Sequence, residues 1–163
     1  MNDERVRVLF VSRDNATRGQ MAEAFLRELG GEAFEVCSAG SLAHEVHPLA
    51  VEVMAERGID ISRQRSKELQ EYIGAKWFDY LITVCDRLEK GCPMFPGPAA
   101  REYWPFQDPG REEGTIEKRL ARFRLVRDGV ETRVRSWLEK SSRKPPRSRA
   151  EREHSSVPVG WRP

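Results

Sequence analysis

Residues 6–23 constrain this chain more than any other stretch. Val6-Arg7-Val8-Leu9-Phe10-Val11 is short, apolar and rich in β-branched residues, the pattern of a buried strand. A polar turn follows, Ser12-Arg13-Asp14-Asn15-Ala16-Thr17, and beyond Arg18 the apolar residues of Gln20-Met21-Ala22-Glu23-Ala24-Phe25-Leu26 recur at helical spacing. A strand that runs through a tight loop into a helix leaves backbone N–H groups unpaired at the helix N-terminus. Together with the positive end of the helix dipole they form an anion site. Arg18 closes the loop and offers a planar fork suited to a tetrahedral oxyanion.

The remainder of the chain can be arranged around that junction. Ala33–Cys37 reads as a second buried strand ending in Ser38-Ala39-Gly40, after a helix stop at Gly30-Gly31. Pro48 opens a helix whose apolar face is Ala50, Val51, Val53 and Met54. A short helix is expected over Glu68–Ile73, a third strand over Phe78–Val84, and a brief fourth strand near Glu102–Trp104. Thr115 to Lys140 reads as one long helix, with Ile116, Leu120, Phe123, Val126, Val130, Val134 and Trp137 on its core stripe. Strands alternating with helices predict right-handed crossovers and a parallel sheet with helices on both faces. Ligands of such sheets sit at the carboxyl ends of the strands, where Ser12 and Cys85 both fall.

Composition narrows the class. With 28 Lys+Arg against 26 Asp+Glu, the net charge of +2 gives no reason to expect a nucleic-acid or membrane partner. No apolar run approaches the roughly 20 residues of a membrane-spanning helix. Three cysteines, an odd number, argue against an extracellular disulfide scaffold, so a reduced, cytoplasmic chain is expected. Residues 1–140 read as one domain. Residues 141–163 are basic, lack apolar periodicity and read as a disordered tail.

Several motifs now combine. The loop from Ser12 to Arg18, the Gln20-Met21-Ala22-Glu23 run, Ser38-Ala39-Gly40, His47-Pro48-Leu49-Ala50 and Asp108-Pro109 resemble the low-molecular-weight tyrosine phosphatases. They are equally similar to the thioredoxin-coupled arsenate reductases that share that fold. The resemblance implies a three-layer α/β/α domain with a four-stranded parallel sheet. It makes Arg13, Asp14, Asn15, Ala16, Thr17 and Arg18 the oxyanion loop for arsenate, phosphate or sulfate, and Asp108 the general acid. Ser12 stands where those families carry the nucleophilic cysteine, and Gly19 where they carry a serine that holds the thiolate.

Cys85 and Cys92 match the redox pair of the reductase branch. In that relay the loop cysteine attacks arsenate, Cys85 attacks the adduct and releases arsenite, and Cys92 resolves the bond into Cys85–Cys92. A thioredoxin-like partner then reduces that bond. An oxygen at position 12 supplies no electrons to arsenic, so an arsenate reductase-like protein impaired by Ser12 is the leading expectation. A phosphomonoester or phosphotyrosine phosphatase and a non-catalytic oxyanion-binding or interaction module are the alternatives.

Asn15, Glu23 and Ser38 match positions that coordinate potassium in some arsenate reductases, with the remaining ligands falling at Arg65 and Lys67. Two cations there would repel a metal, and Lys67 can replace it, so neither metal nor cofactor is expected. Cys37 is expected in the core, His44 and His47 in exposed or capping roles, and Trp104 and Trp137 in packing.

Overall fold

The computed structural model describes residues 4–86 and 89–141. There are four strands, β1 (Val6–Ser12), β2 (Phe34–Gly40), β3 (Tyr80–Thr83) and β4 (Ala100–Tyr103). Helix α1 (Arg18–Gly30) follows β1, α2 (Pro48–Ala55) follows β2, and α3 (Ile116–Ser141) follows β4, with no helix between β3 and β4 among the described residues. The sheet order is β2-β1-β3-β4, and every pairing is parallel. The chain leaves β1 for β2 on one side and returns to β3 on the other, so the order reverses between β1 and β3. In open α/β sheets that reversal splays the loops apart at the carboxyl ends and opens a crevice there.

β1 is buried on both faces, as a central parallel strand requires. Val8 and Phe10 join the larger core with Met21, Phe25 and Leu26 of α1, Val53 and Met54 of α2, and Phe123, Val130 and Val134 of α3. Leu9 and Val11 face the other way, onto Ala39, Leu69, Phe78, Leu81 and Phe95. Trp104 and Trp137 are buried in the larger core, with ring centroids 6.2 Å apart, and Phe10 lies 5.6 Å from Trp104.

The α/β fold and its four parallel strands agree with the sequence-based expectation. The two outer layers are unequal, however. All three α-helices contribute to the larger core, while the smaller core is capped by Leu69 of a single 3-10 turn (Leu69–Glu71), Tyr72, Phe78 and Phe95. The helix expected over Glu68–Ile73 is therefore one 3-10 turn, and the fourth strand falls at Ala100–Tyr103, leaving Trp104 just past its end. Ile116, expected on the core stripe of α3, is 48 % exposed, because the first turn of that helix projects past the core. Cys37 is half-buried, packed at the edge of the smaller core. Ser141 ends α3, and the remainder of the expected tail lies outside the described residues. No helix among the described residues is long and apolar enough to cross a membrane.

Candidate functional site

The loop between β1 and α1 is held open from outside. The Arg13 carbonyl accepts from the Leu42 N–H and Ser41 Oγ, the Asp14 carbonyl from the His44 N–H and Ser66 Oγ, and the Ala16 carbonyl from the His47 N–H. A trans peptide puts its N–H opposite its carbonyl. Outward carbonyls at 13, 14 and 16 thus turn the N–H groups of Asp14, Asn15 and Thr17 toward the loop interior. The Asn15 N–H confirms the direction by donating to Ser12 Oγ at 3.2 Å. α1 starts at Arg18 with no side-chain cap from Thr17 and no acidic residue in its first turn, so its leading N–H groups and dipole also face this space.

Asn15 makes the tight turn possible. Its φ of 51° is left-handed, a conformation Asn tolerates better than most residues. Its Oδ1 accepts from Gln20 Nε2 and from the Lys67 N–H, each at 2.9 Å, which ties the loop to α1 and to the segment after α2. Its Nδ2 is buried without an acceptor. Gly40 supplies the floor: a Cβ there would meet the Arg13 carbonyl oxygen at 2.7 Å and the Asn15 nitrogen at 2.9 Å. The backbone of β2 and the anion loop approach too closely for any side chain.

Ser12 is 1 % exposed at the carboxyl end of β1. A Cβ on Gly19 would lie 3.1 Å from its Oγ and 3.2 Å from Asn15 Nδ2, so the three residues share one small space. Val11 and Thr83 are register partners, and the Val84 N–H donates to the Val11 carbonyl at 2.9 Å. This pairing places buried Cys85 beside the anion loop. Cys85 is joined to Cys92 by a disulfide with Cα atoms 6.2 Å apart, within the ordinary range for such bridges.

Arg18 is paired. Its Nη1 and Nη2 donate to the Glu89 carboxylate at 2.6 and 2.8 Å, and Nη1 also to the Phe106 carbonyl at 3.0 Å. Asp108 caps a 3-10 turn (Pro109–Arg111), its Oδ1 accepting from the Gly110 N–H at 2.9 Å, and its charge acts on Arg18 and His47. The expected residues Ser12, Arg13, Asp14, Asn15, Ala16, Thr17 and Arg18 thus share one loop, with Cys85 beside it and Cys92 bridged to Cys85. Glu89 and the Phe106 carbonyl went unnoticed in the sequence. Glu89 pairs with a residue 71 positions away, and nothing in its local pattern announces that.

His47 caps α2: its Nδ1 accepts from the Leu49 N–H at 3.1 Å. Behind the loop, Lys67 Nζ donates to the Arg65 carbonyl at 2.7 Å and stands 3.8 Å from Glu23 Oε1, while Ser38 Oγ donates to Glu23 Oε2. Burial raises the pKa of Glu23 and lowers that of Lys67, and their opposite charges restrain both shifts. These residues do not fit a bound metal, because an ammonium already stands beside the carboxylate. No cluster of three or more His, Cys, Asp or Glu side chains suited to a metal occurs among the described residues.

Comparison with known proteins adds four likenesses. The family profile described as low molecular weight phosphotyrosine protein phosphatase matches residues 7–147. The chain is 39 % identical over 132 residues to an arsenate reductase of Halalkalibacterium halodurans, covering 81 % of this chain and 94 % of that one. A solved arsenate reductase in its oxidised state superposes with a TM-score of 0.69 at 34 % identity, over 82 % of this chain and 97 % of that one. Another, in a phosphate-binding state, superposes at 0.64 with 33 % identity, over 83 % and 98 %.

Proposed function

The chain belongs to the low molecular weight phosphotyrosine protein phosphatase family, and from that premise we propose an arsenate reductase-like protein whose turnover is impaired by Ser12. One observation carries this reading over a plain phosphatase: the Cys85–Cys92 disulfide at the strand end beside the anion loop. A phosphomonoesterase has no use for a dithiol there, whereas reduction of arsenate to arsenite consumes two electrons and leaves a disulfide.

In this reading Arg13, Asp14, Asn15, Ala16, Thr17 and Arg18 hold the oxyanion through inward N–H groups and the guanidinium. A thiol at position 12 would displace one oxygen of arsenate, which leaves as water, and form an S–As bond. Attack by Cys85 on that sulfur gives a disulfide and expels arsenite, the electron pair of the S–As bond staying on arsenic. Cys92 then attacks Cys85, forms the observed bridge and restores the first thiol. Ser12 can form at most an oxygen ester and supplies no electrons, so the relay lacks its first member. A thioredoxin-like dithiol in the cytoplasm would return Cys85 and Cys92 to thiols by exchange.

Thioredoxin-coupled arsenate reduction tests the reading on the chain as given and on Ser12→Cys. No turnover by the parent and clear turnover by the variant is the expected result. Inactivity of both proteins, with each folded, would remove the reductase reading. The second reading is phosphomonoester hydrolysis, which the same loop and Asp108 as general acid would serve. Release of p-nitrophenol from its phosphate ester by Ser12→Cys, without arsenate reduction, would select it.

A further inference from the structure

The guanidinium of Arg18 is closed to solvent. Its side chain and that of Glu89 are each only 1 % exposed. Of the five N–H donors of an arginine, two go to the Glu89 carboxylate, one on each terminal nitrogen, and one to the Phe106 carbonyl. A carboxylate seated across both terminal nitrogens presents to Arg18 the charge and paired oxygens of a bound oxyanion. Burial alone would lower the Arg18 pKa, but the hydrogen bond and charge of Glu89 outweigh it and raise it. Burial alone would raise that of Glu89, and Arg18 lowers it instead. The two charges therefore cancel inside the site.

Glu89 lies within the segment that the Cys85–Cys92 bridge closes. The Asp86 N–H donates to its Oε2 at 3.2 Å. The Ser41 hydroxyl stands 3.2 Å from the Gly91 carbonyl of the same segment and 3.0 Å from the Arg13 carbonyl of the anion loop, so its single proton can serve either. Ser41 therefore stands between the bridged segment and the loop.

We propose that Glu89 is an internal competitor for the oxyanion: with Cys85 and Cys92 bridged its carboxylate occupies Arg18, and opening the bridge lowers that occupancy. The inference rests on the anion-loop reading given above. A tethered group acts at a high effective concentration, so a free anion must displace it to gain the guanidinium. Cross-linking removes conformational freedom from the enclosed segment, which holds Glu89 near Arg18. Reduction by a dithiol delivers two electrons and two protons, splits the S–S bond into two thiols and closes the dithiol into its own disulfide. Glu89 then has more conformations to lose on pairing. An arrangement of this kind disfavours a new anion until the reductant has acted.

Calorimetric titration of inorganic phosphate provides the test, on oxidised and dithiol-reduced wild type, Glu89→Gln and Glu89→Ala. The oxidised wild type should bind most weakly. The oxidised Glu89 variants and the reduced wild type should each bind about tenfold tighter or more, since a charged competitor held in a closed ring is removed or loosened. Unchanged or weaker binding by the folded Glu89 variants would overturn the proposal and make Glu89 a support for Arg18. Equal affinity of oxidised and reduced wild type would overturn it without recourse to any variant. Reduced Arg18→Ala separates the two readings: if it binds phosphate as wild type does, the anion-loop reading falls as well. If binding needs Arg18 and ignores Glu89, only the competitor falls.

Discussion

Ser12 Oγ accepts a buried hydrogen bond from the Asn15 N–H and faces the side-chain-free surface of Gly19. Ser12→Ala removes the acceptor and leaves a buried donor, at a cost of about 1–3 kcal/mol in urea denaturation. His47 offers a titratable example at the same scale. Burial, and then the charge of Arg119, pull its pKa below 6.5 despite Asp108 and Asp14. The unfolded chain therefore binds the proton more readily, so this contribution to stability is complete above about pH 6.5 and declines as pH falls through the lower folded value. Protonation also forfeits the helix cap, since a protonated Nδ1 cannot accept from the Leu49 N–H. His47→Asn keeps a capping oxygen and loses the titration. Its melting temperature should change less than that of the wild type between about pH 7.5 and 5.5.

Among the elements, the close approach of β2 to the anion loop makes the clearest demand. Gly40→Ala would drive a Cβ into two backbone atoms of the loop, neither of which can swing aside. A loss of about 1–3 kcal/mol is expected by thermal denaturation, with weaker phosphate binding by calorimetry as the loop N–H groups are displaced. Ser38-Ala39-Gly40 was recognisable in the sequence, but its purpose was not, because a glycine needed for a neighbour's approach looks like any other glycine. The strand–loop–helix junction was legible for the opposite reason. Its signals are local: an apolar β-branched run, a polar turn, then a helical period. The 3-10 turn at Leu69–Glu71 was misread as a helix because one apolar turn looks the same in either form. Glu89 was illegible because a salt bridge spanning 71 positions depends on sheet order. The pairing of Cys85 with Cys92 came from family likeness and not from their spacing.

For the molecule as a whole, Glu56 at the end of α2 ties that helix to α3 through Arg124 and Arg127. The hydrogen bond from Arg124 is the largest influence on this carboxyl, and together the two arginines bring its pKa down to about 2. A depressed carboxylate stabilises the fold above its unfolded value of about 4.5 and loses that contribution as pH falls toward the folded one. Glu56→Gln should therefore flatten the acid limb of a pH–stability curve, measured by denaturant midpoints between about pH 5 and 2. The exposed setting and salt screening keep the effect small. Lys67 acts on a different variable, the mineral content of the surroundings. A cation recruited from solution has an occupancy that follows its concentration, whereas an ammonium carried on the chain is present once per folded molecule, whatever the medium holds. Melting temperatures in equimolar potassium and sodium chloride should coincide for the wild type, and Lys67→Ser should separate them. On that expectation the brace behind the anion loop is inherited with the sequence, and dialysis or a change of salt should leave it in place.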